Sequence, residues 1–165
     1  MKRIDFVKSA VTGAILTPSL VTSLFQGEQP PLDKGLVEEF VRIAHSDKDK
    51  VVAMLTEHPT LLNAAHDWGG GDFETGLGAA SHVGNIDTAK LFIESGAQTN
   101  IFTACLFGHM NIVKPILEAF PDTLHAKGPH GLTLLHHANN GGDAAADVKS
   151  YLESLGAIET RIPLY

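Results

Sequence analysis

Apolar positions recur at helical spacing in short, paired runs along most of this chain. Leu36, Phe40, Ile43 and Ala44 share one face, and after the polar break Ser46-Asp47-Lys48-Asp49 the residues Val51, Val52 and Leu55 do so again. The pattern predicts two short amphipathic helices about a tight turn, with Pro59 ending the second because its ring cannot continue a helix. Ile86, Ala89, Phe92 and Ile93 mark the buried face of a later helix, and Val148, Tyr151, Leu152 and Leu155 the last one. Pro115 falls within a helical run, where it should remove one hydrogen bond and bend the axis. One continuous core through Leu77, Ile112 and Leu135 is expected.

Within these runs one string recurs. Gly131-Leu132-Thr133-Leu134-Leu135-His136-His137-Ala138 reads G-x-T-x-L-H-x-A. Thr75-Gly76-Leu77-Gly78-Ala79-Ala80 keeps the Thr, Leu and Ala positions and leads through Gly84-Asn85-Ile86 to Gly96-Ala97. Ala104-Cys105-Leu106-Phe107-Gly108-His109-Met110-Asn111-Ile112-Val113 follows, and the last unit closes on Gly156-Ala157. These strings resemble the ankyrin repeat, a turn and two antiparallel helices in about 33 residues with the signature T-P-L-H-x-A. The resemblance implies an all-α solenoid of about four helix-turn-helix units over residues 36–162, the first unit degenerate, with Thr133 capping a helix and His136 bridging backbone groups between units.

Two places depart from a regular ankyrin frame. Asp67 stands eight residues before Thr75, where the repeat has five, so this finger is lengthened; it carries Trp68, Gly69-Gly70-Gly71, Asp72, Phe73 and Glu74. Three glycines in a row are costly to order and suit the tip of a longer hairpin, while Trp68 suits a contact. The third unit is abbreviated, since Gly84 and Gly108 are only 24 residues apart. It should leave a gap in the row of fingers where a partner could enter. The frame also implies a concave strip formed by the residues before each inter-helix bend: His45 and Ser46, His82 and Val83, Leu106 and Phe107, Asn140 and Gly141. Leu106 and Phe107 must either be covered by a partner or tuck inward.

The amino terminus differs in kind. Lys2, Arg3 and Lys8 precede an uncharged, moderately apolar run over residues 9–27, the pattern of an export signal. Arg3-Ile4-Asp5-Phe6-Val7-Lys8 resembles the bacterial twin-arginine motif but has Ile4 at the second arginine. A signal at 1–26, a Pro-rich linker at 27–35 and an exported, periplasmic location are expected, the alternative being a cytoplasmic chain with a buried amino-terminal helix.

Composition narrows function by exclusion. A net charge of −7 disfavours nucleic acid, and the single cysteine, Cys105, allows no intrachain disulfide. Among nine histidines, His130, His136 and His137 lie together, but adjacent helical histidines diverge by about 100° and no H-x-x-x-H is present. His66, Asp67, Asp72 and Glu74 form a second cluster able to hold a cation or act as acid and base. No G-x-S-x-G, P-loop or Cys-His pairing appears.

Resemblance to exported bacterial ankyrin-repeat proteins therefore implies a non-enzymatic, monomeric interaction module with no cofactor, no metal and a protein partner, touching membrane only through an uncleaved signal. The expected partner-binding residues are Trp68, Asp72, Phe73, Glu74, His82, Leu106, Phe107, His130 and Asn140. The alternatives are a small-ligand or metal-binding protein or enzyme using the 66–74 finger, and an inhibitor or immunity factor for a basic partner.

Overall fold

Six of the eight α-helices among the described residues start where a short polar side chain takes over the orphaned amides of the first turn. The computed structural model describes residues 30–165. The expected signal at 1–26 lies outside the described residues, as do 27–29 of the linker. Asp33 accepts from the Leu36 amide at 2.9 Å, so helix α1 (Lys34–Ala44) already includes the last two residues of the expected linker. Asp47 caps α2 (Lys48–Glu57), Thr75 caps α3 (Gly76–His82) and Asn85 caps α4 (Ile86–Glu94). Asn100 caps α5 (Ile101–Leu106) and Thr133 caps α7 (Leu134–Asn140). Only α6 (Met110–Ala119) and α8 (Ala146–Ser154) begin without a side-chain cap.

The eight α-helices among the described residues pack as antiparallel pairs: α1 with α2, α3 with α4, α5 with α6 and α7 with α8. The first helices of the pairs form a row in which α3 lies against α1 and α5, and α5 against α7. The result is an all-α, solenoid-like arrangement. Its one departure among the described residues is a two-stranded antiparallel hairpin, β1 (Ala65–Asp67) and β2 (Phe73–Thr75), which pairs His66 with Glu74 and projects from the row just ahead of α3.

Burial divides the expected single core into two clusters. Phe40, Leu61, Leu77, Phe92 and Leu106 belong to the first; Cys105, Val113, Leu134, Val148 and Leu152 belong to the second. The two meet along α5, whose successive residues Cys105 and Leu106 face opposite neighbours. Ile112, Ile93, Val52 and Leu155 were expected inside and are instead 38–45 % exposed. Helices of nine or ten residues packed on one side cover only a narrow stripe, so the flanking apolar positions stay wet. Burial pushes the Cys105 thiol up to about 12, which makes it packing material and not a nucleophile.

Phe40 and Phe92 meet edge to face across the first cluster, 5.8 Å between centroids, directly over Gly76. A Cβ on that residue would stand 2.5 Å from Phe92 Cζ and 3.0 Å from Phe40 Cε1. Gly76→Ala should accordingly destabilise the fold by about 1–3 kcal/mol through overpacking, read as a lower denaturant midpoint at unchanged slope.

Between α4 and α5 the chain runs from Gly96 to Asn100 without a projecting hairpin. The expected gap is closed from both sides, because the turn Pro129–Gly131 reaches the β1–β2 hairpin directly: the His130 amide donates to Asp72 Oδ1 at 2.7 Å. A strap formed by residues 159–163 holds that turn from behind. Thr133 donates from its amide to Thr160 O and from its hydroxyl to Glu159 O, Ile162 donates to Gly131 O, and Arg161 Nε to His130 O, at 2.7–3.1 Å.

Candidate metal centre

The hairpin tip is built to place two acids. Gly69, Gly70 and Gly71 all take positive φ, a region open to glycine and strained for residues with a Cβ. Asp67 spends its carboxylate accepting from the Gly69 and Gly71 amides at 2.9 and 3.2 Å. The tip so fixed sends Asp72 toward the Pro129–Gly131 turn and buries the Glu74 side chain completely.

Around Glu74 stand three imidazoles. His45 follows α1, His82 ends α3, and His130 occupies the turn before α7 in a left-handed conformation, φ 59° and ψ 17°. Such a backbone costs a non-glycine residue free energy, and it persists where neighbours over-determine it. Here Asp72 does so twice, accepting from the His130 amide and from Nδ1, both at 2.7 Å.

His45, Glu74, His82 and His130 each direct one ligand atom inward, and the four atoms lie within 4.8 Å of one another. Nε2 of His82 is 2.9 Å from Glu74 Oε1 and 3.0 Å from Nε2 of His45. Nε2 of His45 and of His130 are 3.6 and 3.5 Å from Glu74 Oε2.

Partners behind these atoms set which nitrogen is free. His45 donates from Nδ1 to the carbonyls of Val41 and Arg42 at 3.0 and 3.1 Å, leaving Nε2 unprotonated toward the centre. His130 is held the same way by Asp72. The end of α3 is fixed because the His82 carbonyl accepts from His136 Nε2 at 2.8 Å and from Asn140 Nδ2 at 2.6 Å. Trp68 Nε1 donates to Glu74 Oε2 at 2.8 Å, while Oε1 is buried with no hydrogen bond of good geometry. Burial alone would raise the Glu74 carboxyl; His82 beside it, the Trp68 hydrogen bond and His45 outweigh that and hold it below the ordinary carboxylate value.

Three imidazoles and one carboxylate suit Zn²⁺ and its divalent neighbours, and a carboxylate behind a histidine is a recurrent support of such sites. The expectation of a non-enzymatic module is corrected by this cluster, because two projecting turns meet beside the helix pairs and gather four groups able to bind a metal or ligand.

Of the nine expected contact residues, Trp68, Asp72, Glu74, His82 and His130 converge here, and Asn140 supports them from behind. Glu74 and Leu106 are fully buried and cannot touch a partner; Asp72 is nearly so. Leu106 tucks inward because α5 sits between two rows of side chains. Phe73, 62 % exposed, and Phe107, stacked on His109, lie away from the centre. From the expected acidic cluster only Asp72 and Glu74 take part, since His66 packs its ring against Trp68 at 4.4 Å. His136 reaches past the α5–α6 pair to the His82 carbonyl at the end of α3, and His137 is buried, leaving His130 alone of that trio. His45 was not singled out, although it and His82 hold equivalent places ahead of their bends. No helix among the described residues is long and apolar enough to cross a membrane. Neither a family model nor a curated protein sequence matches this chain.

Proposed function

We propose that this protein binds one divalent first-row transition ion between His45, Glu74, His82 and His130 and uses it as a Lewis acid or as the seat of a bound small molecule. The observation that carries this is the fully buried Glu74 carboxylate, with His82 Nε2 2.9 Å from Oε1 and the Nε2 atoms of His45 and His130 3.6 and 3.5 Å from Oε2. A carboxylate so buried is costly without a cation or a charged partner beside it. Neighbouring donor atoms stand 2.9–3.6 Å apart and all four ligand atoms lie within 4.8 Å of one another, so bonds of about 2.1 Å to one ion require only small side-chain shifts.

An ankyrin-like reading of the scaffold goes with this proposal. It is supported by the paired helices and by the Thr75 and Thr133 caps at equivalent places. On that reading a missing third finger is what allows the second and fourth to meet.

Titration of metal-free protein with Zn²⁺ should show one tight equivalent. Asp72→Asn should weaken it by about 10–100-fold, and His82→Ala by more, because it removes a ligand and not a support. Equal binding by the parent and a His45→Ala/His82→Ala double variant would overturn the proposal and leave the cluster a hydrogen-bonded polar core.

A further inference from the structure

Exposure is uneven across the centre. Glu74 has no exposed side-chain surface and His82 only 11 %, whereas His45 and His130 are 26 and 27 % exposed. Those two residues line a cavity of about 420 Å³ together with Arg42 and Trp68. A guest in this space has two of the metal-binding imidazoles and a guanidinium at its border.

Four protein donors do not exhaust an ion that takes five or six ligands, so one or two positions remain for a guest.

Arg42 supplies the charge at that border. It lies one turn before His45, with its guanidinium carbon over the Trp68 ring, 5.0 Å from the centroid. Its hydrogen bond to Glu38 is with a half-exposed carboxylate one helical turn away, a pairing that a better-placed anion can replace. A guanidinium bordering the same small cavity as a divalent cation selects against cationic guests and for a planar or tetrahedral group with several acceptor oxygens.

Resting on the metal reading above, we propose that this cavity binds the carboxylate or phosphate group of a small molecule, one oxygen on the ion and another accepting from Arg42. Neutral molecules of the same size gain neither contact.

The test uses the Co²⁺-loaded full chain, whose visible absorption reports the ion's coordination. Appearance of the cobalt bands on loading tests the metal centre by itself; their absence refutes that reading before any anion is added. Loaded protein is then titrated separately with inorganic phosphate and with acetate, against perchlorate at matched ionic strength. A saturable band shift with either anion and none with perchlorate is expected, the responding anion identifying the group. Arg42→Ala, compared at equal cobalt content, should weaken that response at least about tenfold, with Arg42→Lys between the two. Bands unmoved by both anions, or an Arg42→Ala response equal to the parent's, would overturn the proposal.

Discussion

Zinc raises the thermal midpoint of the metal-free protein by more than about 10 °C once its free concentration stands a thousandfold above the dissociation constant. An ion that binds only the folded chain then contributes about 4 kcal/mol, and a domain of this size gains roughly 3–4 °C per kcal/mol. The ligands come from α1, β2, the end of α3 and the turn before α7, elements that only the folded chain brings together. Scanning calorimetry with zinc and then with excess chelator reads the effect and its reversal. His82→Ala should unfold at the same temperature in both conditions. An undiminished shift in that variant would place the metal on exposed histidines such as His109 and His125 and remove the centre from consideration.

The second large effect is one of pH and lies outside the centre. His137 is buried under Phe102, with its Nδ1 donating to Thr133 O at 2.8 Å. Burial drives its pKa down to about 4, against which the Thr133 hydrogen bond acts only in part. The unfolded chain takes up this proton near pH 6.5 and the folded chain does not until about pH 4. The stability linked to His137 is therefore complete above pH 6.5 and is lost as pH falls, by about 3 kcal/mol at pH 4. Denaturant titrations of the metal-free protein between pH 7 and pH 4 measure the slope, and His137→Leu should flatten it by that amount. Parallel curves for the two proteins would show that His137 is charged in the fold.

Much of the fold could be read from residues whose effect is local. Asp47, Thr75, Asn85, Asn100 and Thr133 announce helix starts because a short acceptor side chain at that position has few other uses, and the paired apolar stripes give the helix pairs. Which stripe positions stay wet was not legible, since Ile93 and Ile112 differ from buried neighbours only in what the next helix covers. The centre was half legible. The lengthened hairpin stood out through its glycines, Trp68 and Glu74, and His45 and His82 occupy matching places before their bends. Their convergence was hidden because it depends on a contact between residues 72 and 130, across 58 positions and over a short helix pair. The same shortened stretch that suggested an opening is what lets the flanking turns touch.

The strap of residues 159–163 sets the order of events during biosynthesis. His130 sits in a costly turn whose carbonyl and whose neighbour Gly131 are both held by Arg161 and Ile162. A nascent chain that has delivered His45, Glu74, His82 and His130 still lacks the segment that keeps the last of them in place. On the metal reading, an ion held by all four residues requires that this last segment has already docked.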